Sequence, residues 1–309
     1  YFAKGLEIKG NFTYMFNTTR YTNRQVNTEY SQYPGEINTL TSGKMEDKLY
    51  EKSMTHTYYQ ANLYGTFERT FARDHNFKAM VGFNWETKFL KDVAATGYNL
   101  LSETLNDLNL VGQGADGEKR MEVGGGQNEY ALMGFFGRLN YDYKGKYLVE
   151  ASGRYDGTSR FKRGHRWGFF PSFSLGWRIS EENFMKNANW LDNLKIRASV
   201  GSAGNGLISD AYAYLSTMSI AQSSLLNNGS VFNYTQAPSP IPKSLTWEKA
   251  TTYDLGLDFE AFNGRLNFSA DIYRKKTTDM YVVGEELPAV FGNSAPKGNY
   301  ADMRTDGGE

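Results

Sequence analysis

The sequence lacks the residues and runs on which several classes of protein depend. None of its 309 residues is cysteine, which excludes disulfide bonds, thiolate metal sites and cysteine nucleophiles. It contains no run of about 18 consecutive apolar residues, so a membrane-spanning helix is excluded on length alone. Its 34 Lys and Arg balance 34 Asp and Glu, and this neutrality argues against a nucleic-acid binder.

Aromatic residues and glycine are abundant instead. The chain has 22 Tyr, 20 Phe, 5 Trp and 32 Gly but only 7 Pro, a mixture that favours strands and turns. The mean hydropathy is low, at -0.58, yet the strands of a transmembrane barrel place apolar side chains only at every second position. The low hydropathy is therefore compatible with residence in a membrane.

Apolar and polar residues alternate in segment after segment, which predicts strands with one apolar and one polar face. In the segment 133–143, Phe135 and Leu139 share one parity, while Arg138 and Asp142 share the other. The pattern predicts an all-β chain of about nine or ten antiparallel strands of roughly ten residues each. The same alternation recurs at 6–16, 59–67, 77–85, 147–155, 169–179, 194–200, 253–259 and 266–272.

The connections between these strands alternate in length. Short turns at one end and long loops at the other are typical of a bacterial transmembrane barrel. A soluble β-sandwich would instead bury the apolar parity, including Phe135, Leu139, Val149, Phe173 and Leu257, between two sheets. We therefore predict a transmembrane β-barrel segment whose apolar face contacts lipid. The tight connections follow Arg69, Tyr143 and Phe259, and the long ones follow Glu86, Gly201 and Lys276.

Local signals add detail to this prediction. Asn263-Gly264 predicts a tight hairpin, because both residues tolerate positive φ. Pro171 lies inside a predicted strand and indicates an irregular place in its ladder. The acidic start of 180–193 predicts one or two helical turns, and the uncharged stretch 211–242 is interpreted as a long outer loop.

Two sets of residues match binding motifs only in part. Gly112, Gly114 and Gly117 have the spacing of a dinucleotide-binding fingerprint, but that motif requires a βαβ unit, so a flexible loop is expected. His56, His75 and His165 are far apart in sequence, and no zinc site is expected.

Charged residues near 160 have alternative interpretations. Asp156, Ser159 and Arg160 lack a nearby histidine base, and a strand-end turn is expected rather than a catalytic triad. The basic stretch from Lys162 to Arg166 is either a solvated tip or a contact for lipopolysaccharide phosphates. We predict no catalytic, cofactor-binding or metal site, and the protein is not expected to be an enzyme.

Long ordered runs occupy the second half of the chain. They read GRYDGTSRF from Gly153, WGFFPSFSLGWRISEE from Trp167, LDNLKIRASVG from Leu191, WEKATTYDLGLDF from Trp247 and DIYRKKTTD from Asp271. In sequence and order they resemble the barrel of SusC/RagA-type TonB-dependent transporters of Bacteroidota. The first half shares only the general pattern of that family.

This resemblance implies a plugged barrel of about 22 strands, of which residues 1–309 would form a partial β-barrel domain, with the plug domain and the TonB box absent. It implies an outer-membrane location and active import of a glycan or an oligopeptide. The implied partners are TonB, a SusD-like surface lipoprotein and outer-membrane lipid, and no cofactor is implied.

Aromatic residues in the predicted outer loops are the candidate contacts for a substrate or partner, because rings offer broad and rigid surfaces. The alternative is that they pack against one another. Three other functions also remain open: a passive porin-like channel, a surface adhesion barrel and a soluble carbohydrate-binding β-sandwich. The candidate aromatic residues are Tyr98, Tyr212, Tyr214, Phe232 and Tyr234.

Overall fold

The computed structural model describes residues 4–40, 47–113, 117–206, 212–227, 230–236, 238, 240–241, 245–288, 290 and 295–309. No helix in these ranges is long and apolar enough to cross a membrane. The strands are β1 Leu6–Gln25, β2 Thr28–Tyr30, β3 Asn38–Leu40, β4 Lys48–Phe71, β5 His75–Tyr98, β6 Met121–Tyr143, β7 Tyr147–Thr158, β8 Trp167–Arg178, β9 Leu191–Asn205, β10 Ile220–Asn227, β11 Ser230–Thr235, β12 Glu248–Ala261, β13 Leu266–Val283 and β14 Lys297–Gly308.

Ten strands form one sheet in the order β1-β4-β5-β6-β7-β8-β9-β12-β13-β14, and β2-β3 and β10-β11 form two small hairpins. The predicted all-β fold and number of strands are confirmed. The predicted length of roughly ten residues is wrong for the early strands, since β4 and β5 have 24 residues each and β6 has 23. Their additional residues, such as Gly124 to Gly126 in β6, lack the apolar alternation that marked the strands in the sequence.

The chain divides into two compact units. The larger comprises Tyr1–Phe12, Gln60–Glu86 and Tyr130–Glu309, and the smaller comprises Thr13–Tyr59 and Thr87–Glu129. Strands β1, β4, β5 and β6 contribute residues to both units.

The apolar parity of the sheet is not buried in a core. Phe135 is 49% exposed and Phe173 is 42% exposed, while Val149 and Leu257 are half-buried. The interpretation as a soluble β-sandwich is therefore wrong, because that fold would cover these side chains with a second sheet. The opposite, polar parity carries the ion pairs described below.

The connections confirm the predicted asymmetry. In the larger unit, tight turns at 72–74, 144–146 and 262–265 join strands at one end, together with the connection 179–190. The connections 159–166, 206–247 and 284–296 join strands at the other end. Asn263 and Gly264 have φ of 57° and 74°, as the predicted hairpin requires. Ile179–Glu181 forms one 3-10 turn, in agreement with the helical start expected there.

Pro171 marks an irregularity between β8 and β9. Strand β8 pairs with β7 from Trp167 to Trp177, with Pro171 opposite Gly153. Its pairing with β9 covers only Ser172 to Arg178 in the described part of the chain. Because proline has no N–H to donate, the ladder on that side begins one residue after it.

The smaller unit is held by one buried ion pair. Arg24 contacts the carboxylate of Asp47, and the same guanidinium donates to the carbonyl oxygens of Lys48 and Ser102, each at 3.2 Å. Asp47 Oδ2 accepts a hydrogen bond of 3.0 Å from the backbone N–H of Leu100. The pair therefore fixes the loop that follows β5 against the ends of β1 and β4.

Candidate functional site

The long-loop end of the larger unit contains a small buried cluster. Phe161 and Leu245 are its fully enclosed members, and Ala213, Trp247 and Tyr281 pack against them. These residues come from three segments that are distant in sequence: the loop 159–166, the connection 206–247 and the end of β13. Burial of this apolar surface stabilises the loops as a group, since each loop alone has too little apolar area to fold.

Trp247 is the residue that joins this cluster to the sheet. Its ring meets Phe161 at 5.7 Å and Phe170 at 5.4 Å between ring centres, both in edge-to-face geometry. Its indole Nε1 donates to the carbonyl oxygen of Arg166 at 2.9 Å, so the polar end of the ring is also satisfied. The loop 159–166 and the start of β12 are thereby held together.

A recess of about 310 Å³ opens beside Trp247 on the polar face of the sheet. It combines charged, amide and aromatic side chains with an exposed glycine backbone, which suits ligands with many hydroxyl or amide groups. The side chains that line it are Asn84, Glu86, Leu132, Met133, Arg154, Asp156, Arg160, Asn205 and Trp247.

Within the recess, Arg154 of β7 reaches Asn84 of β5 across the intervening strand β6. Its Nη2 and Nε donate to the two oxygens of Asp156 at 2.8 and 3.1 Å, and Nη2 lies 3.3 Å from Asn84 Oδ1. A Cβ at Gly134 would lie 2.1 Å from Asp156 Oδ1 and 2.7 Å from Asn84 Oδ1. The absence of a side chain at Gly134 therefore allows this contact.

Nearer the tight turns, the polar face carries a second set of charged residues. Arg197 Nε and Nη2 donate to Asp258 at 2.9 and 3.1 Å, and Nη2 also donates to Asp271 at 2.9 Å. Ser269 donates to Asp258 at 3.0 Å. Residues Lys195 and Arg197 also line an adjoining cavity of about 480 Å³.

Glu182 anchors the connection 179–190, outside the strands. It accepts hydrogen bonds from Tyr147 Oη at 2.6 Å, Trp177 Nε1 at 3.2 Å and Lys146 Nζ at 3.2 Å. These donors, the Tyr147 hydroxyl foremost, lower the pKa of Glu182 to about 2. Two aromatic residues at the ends of β7 and β8 are thus tied to one carboxylate.

The five predicted contact residues have different environments. Tyr98 is only 8% exposed, and Arg120 lies 3.8 Å above its ring, which favours the packing alternative for this residue. Tyr212 and Tyr214 flank Ala213, the residue that packs on the buried cluster. Phe232 and Tyr234 are exposed and share one face of β11.

The partial motifs have structural explanations. Gly112 and Gly117 precede strand β6 rather than a helix, so they are not a dinucleotide fingerprint; Gly114 lies outside the described residues. Ser159 Oγ accepts a 2.9 Å hydrogen bond from the N–H of Ala131, as a strand-end turn requires. No group of histidine and acidic residues in the described ranges could hold a metal ion.

Sequence reasoning missed the aromatic contacts beside the recess. Phe161, Phe170 and Trp247 appeared only within the family runs, and Leu245 received no role. Their contacts join segments up to about eighty residues apart, as the hydrogen bond from Trp247 to Arg166 shows, and periodicity reports only neighbours in sequence. The ion pair between Arg197 and Asp258 could have been predicted from the sequence, because the two residues have opposite charge, belong to the polar face and lie on strands that were expected to be adjacent.

An antiparallel sheet with an apolar outward face, tight turns at one end and long loops at the other defines a transmembrane β-barrel of the outer-membrane type. A family profile described as "TonB dependent receptor-like, beta-barrel" matches residues 2–309. The chain belongs to this family and lies in the outer membrane. The family is one of receptors and transporters rather than enzymes.

Individual relatives agree. The chain is 42% identical over 156 residues to the TonB-dependent receptor SusC of Bacteroides thetaiotaomicron. The aligned region covers 48% of this chain and 15% of that protein. The chain is 33% identical over 285 residues to a TonB-dependent receptor of Formosa agariphila, and this alignment covers 89% of this chain and 25% of that protein. These matches confirm the resemblance to SusC/RagA-type transporters.

Among solved structures, the RagAB peptide transporter has the same fold. It superposes with a TM-score of 0.79 at 22% identity, over 99% of this chain and 32% of that chain. The chain therefore spans between 15% and 32% of the length of these three relatives.

Proposed function

We propose that the full-length protein imports a bulky nutrient, a glycan or an oligopeptide, across the outer membrane by TonB-dependent transport. The observation that carries this proposal is the long-loop end of the larger unit, where the Phe161–Leu245 cluster holds aromatic loops near a polar recess. Aromatic faces combined with amide and guanidinium groups suit sugars and peptides, whose surfaces alternate apolar patches with hydrogen-bonding groups. A relative that transports peptides, RagAB, supports the same class of cargo.

We propose that a plug domain and a TonB box belong to the remainder of the full-length protein, and that the barrel segment contributes wall and loops. A SusD-like surface lipoprotein would bind at the long-loop end, and outer-membrane lipid would surround the apolar face. The exposed aromatic pair Phe232 and Tyr234 is proposed as part of the substrate or partner contact.

The experiment measures binding and uptake by the full-length protein in its own outer membrane, using labelled oligosaccharides and oligopeptides. The double variant Phe232→Ala with Tyr234→Ala should lower the apparent affinity about 25-fold, since each ring contributes on the order of 1 kcal/mol. Phe184→Ala, which removes an exposed ring from the connection 179–190 at the opposite end, should leave it unchanged.

Two alternatives give different results in the same assay. A passive channel would continue to admit the ligand after TonB is deleted, whereas active import would stop. An adhesion barrel would bind the ligand without accumulating it in the cell. Either outcome would contradict the proposal.

A further inference from the structure

Three basic side chains lie together on the outward face of β13 and β14. In the pairing of these strands, Arg274 is opposite Asp306 and Lys276 is opposite Arg304. Ile272, two residues before Arg274, pairs with Leu255 of the apolar parity. Residues two apart on a strand share a face, so Arg274, Lys276 and Arg304 point to the lipid side of the wall. We call these three residues the basic patch.

The positive charge of the basic patch exceeds the negative charge beside it. Asp306 accepts a hydrogen bond from Arg274 Nε at 2.7 Å and another from Arg304 Nη2 at 2.8 Å. No carboxylate in the described ranges is within ion-pair distance of Lys276, which lies opposite another cation. Like charges directly across a ladder repel each other, so this arrangement favours an additional anion.

The height of the patch is fixed by its neighbours on the same face. Val200 and Tyr253 are opposite each other on β9 and β12 and are the last apolar pair before the surface becomes polar. The next outward pair is Ser202 and Thr251, whose hydroxyl oxygens are 3.0 Å apart, and Thr251 pairs with Lys276. Lys276 and its partner Arg304 therefore lie one step beyond the apolar band, toward the long loops, and Arg274, which pairs with Tyr253, lies level with the last apolar pair.

We infer that the basic patch binds the phosphate groups of glycolipids in the outer leaflet. Long loops mark the extracellular end of bacterial barrels, so this level corresponds to the headgroups of that leaflet. Arginine binds phosphate through paired N–H groups, and lysine contributes a compact positive charge. The inference depends on the outer-membrane location and not on the proposed cargo.

The test uses the full-length protein in phosphatidylcholine nanodiscs that contain bisphosphorylated lipid A or the same lipid after removal of its phosphates. Lipid binding is measured by energy transfer to a labelled lipid. Lys276→Gln should weaken binding of the phosphorylated lipid about fivefold, and Lys276→Gln with Arg304→Gln about 25-fold, since each basic residue contributes on the order of 1 kcal/mol near an anionic surface. The dephosphorylated lipid should bind all variants equally weakly.

Lys275→Gln is the matched control. It removes the same charge from the neighbouring position of β13, which faces the polar side, and should change binding less than twofold. The inference would be overturned if Lys275→Gln weakened lipid binding as much as Lys276→Gln does. It would also be overturned if the phosphorylated and dephosphorylated lipids bound equally well. Displacement of the lipid by millimolar inorganic phosphate would also contradict it, since a free-ion site would then explain the patch. The single variant serves as the test if the double variant does not fold.

Discussion

Arg197 and Asp271 form an ion pair of 2.9 Å although they lie on β9 and β13, which are separated by β12. Gly256 lies between them on β12, directly opposite both residues. The guanidinium group therefore extends along the wall, over a position that has no side chain. The contact ties three strands together on the polar face.

Gly256→Ala should destabilise the barrel. The added Cβ would lie 2.3 Å from Asp271 Oδ1 and 2.7 Å from Arg197 Cζ, so the ion pair must move, at a cost of about 1–3 kcal/mol. The measurement is the temperature at which the folded band is lost in heat-modifiable gel mobility of the full-length protein. Gly137→Ala is the control, because its Cβ would come no closer than 3.7 Å to Met80 O. Equal shifts in both variants would show that the contact has no energetic importance.

The connection 179–190 should open at acid pH. Hydrogen bonds from Tyr147, then Trp177 and Lys146, lower the pKa of Glu182 from its ordinary value of 4.5 to about 2. A pKa that is lower in the folded state gives stability that is complete above pH 4.5 and is lost as the pH falls toward 2. Hydrogen exchange of this connection, corrected for the intrinsic rate, should increase across that window.

Substitutions of Glu182 and of its neighbour Glu181 test whether Glu182 causes the pH dependence. Glu182→Gln should exchange rapidly at neutral pH and show no further change on acidification. Glu181→Gln, its neighbour, should behave as the unmodified protein does. A transition that persists in Glu182→Gln would assign the pH dependence to another group.

Asp47→Asn should release the loop that follows β5 while the rest of the sheet stays folded. The substitution leaves Arg24 buried without its counter-charge, which costs about 3 kcal/mol. Amide exchange at Asn99 and Leu100, whose N–H groups bond to Asp47, should accelerate by on the order of a hundredfold. Asp74→Asn, which removes the acid of an exposed pair with Lys144, should cost less than about 1 kcal/mol. Unchanged exchange at Leu100 would refute the role of the pair.

Phe161→Ala should loosen the long-loop end. Removal of a fully buried phenylalanine costs about 3–5 kcal/mol, and the ring also supports Trp247. Limited proteolysis of the full-length protein should then cut the loop 159–166, which should resist cleavage in the unmodified protein. Phe184→Ala removes an exposed ring and should not alter the pattern. A loop that stays resistant in Phe161→Ala would show that the cluster is not its anchor.

The apolar parity and the turns could be predicted because they depend on near neighbours. Leu255 and Leu257 alternate with Asp254 and Asp258, and this period of two fixes which face meets lipid. The positive φ of Asn263 follows from local chemistry in the same way. Pro171 could be placed at a ladder irregularity since the missing N–H is a property of the residue itself.

The recess and the buried ion pair could not be predicted from such patterns. Arg24 and Asp47 are each unremarkable in sequence, and their pairing depends on how two loops fold over the ends of β1 and β4. Phe161 directly precedes the basic stretch from Lys162 to Arg166, which resembles an exposed tip, yet Phe161 is fully buried. Contacts of this kind depend on tertiary packing, and the spacing of apolar residues within one segment does not predict them.

The short β8–β9 ladder has a consequence for the depth of the protein in its bilayer. Beyond the pair Ser172 and Gly201, the described residues of β8 and β9 no longer bond to each other. Unpaired peptide groups are not tolerated in hydrocarbon and need water or headgroups as partners. At β8 and β9, the hydrocarbon core of the bilayer must therefore not extend beyond the level of Pro171 toward the long loops.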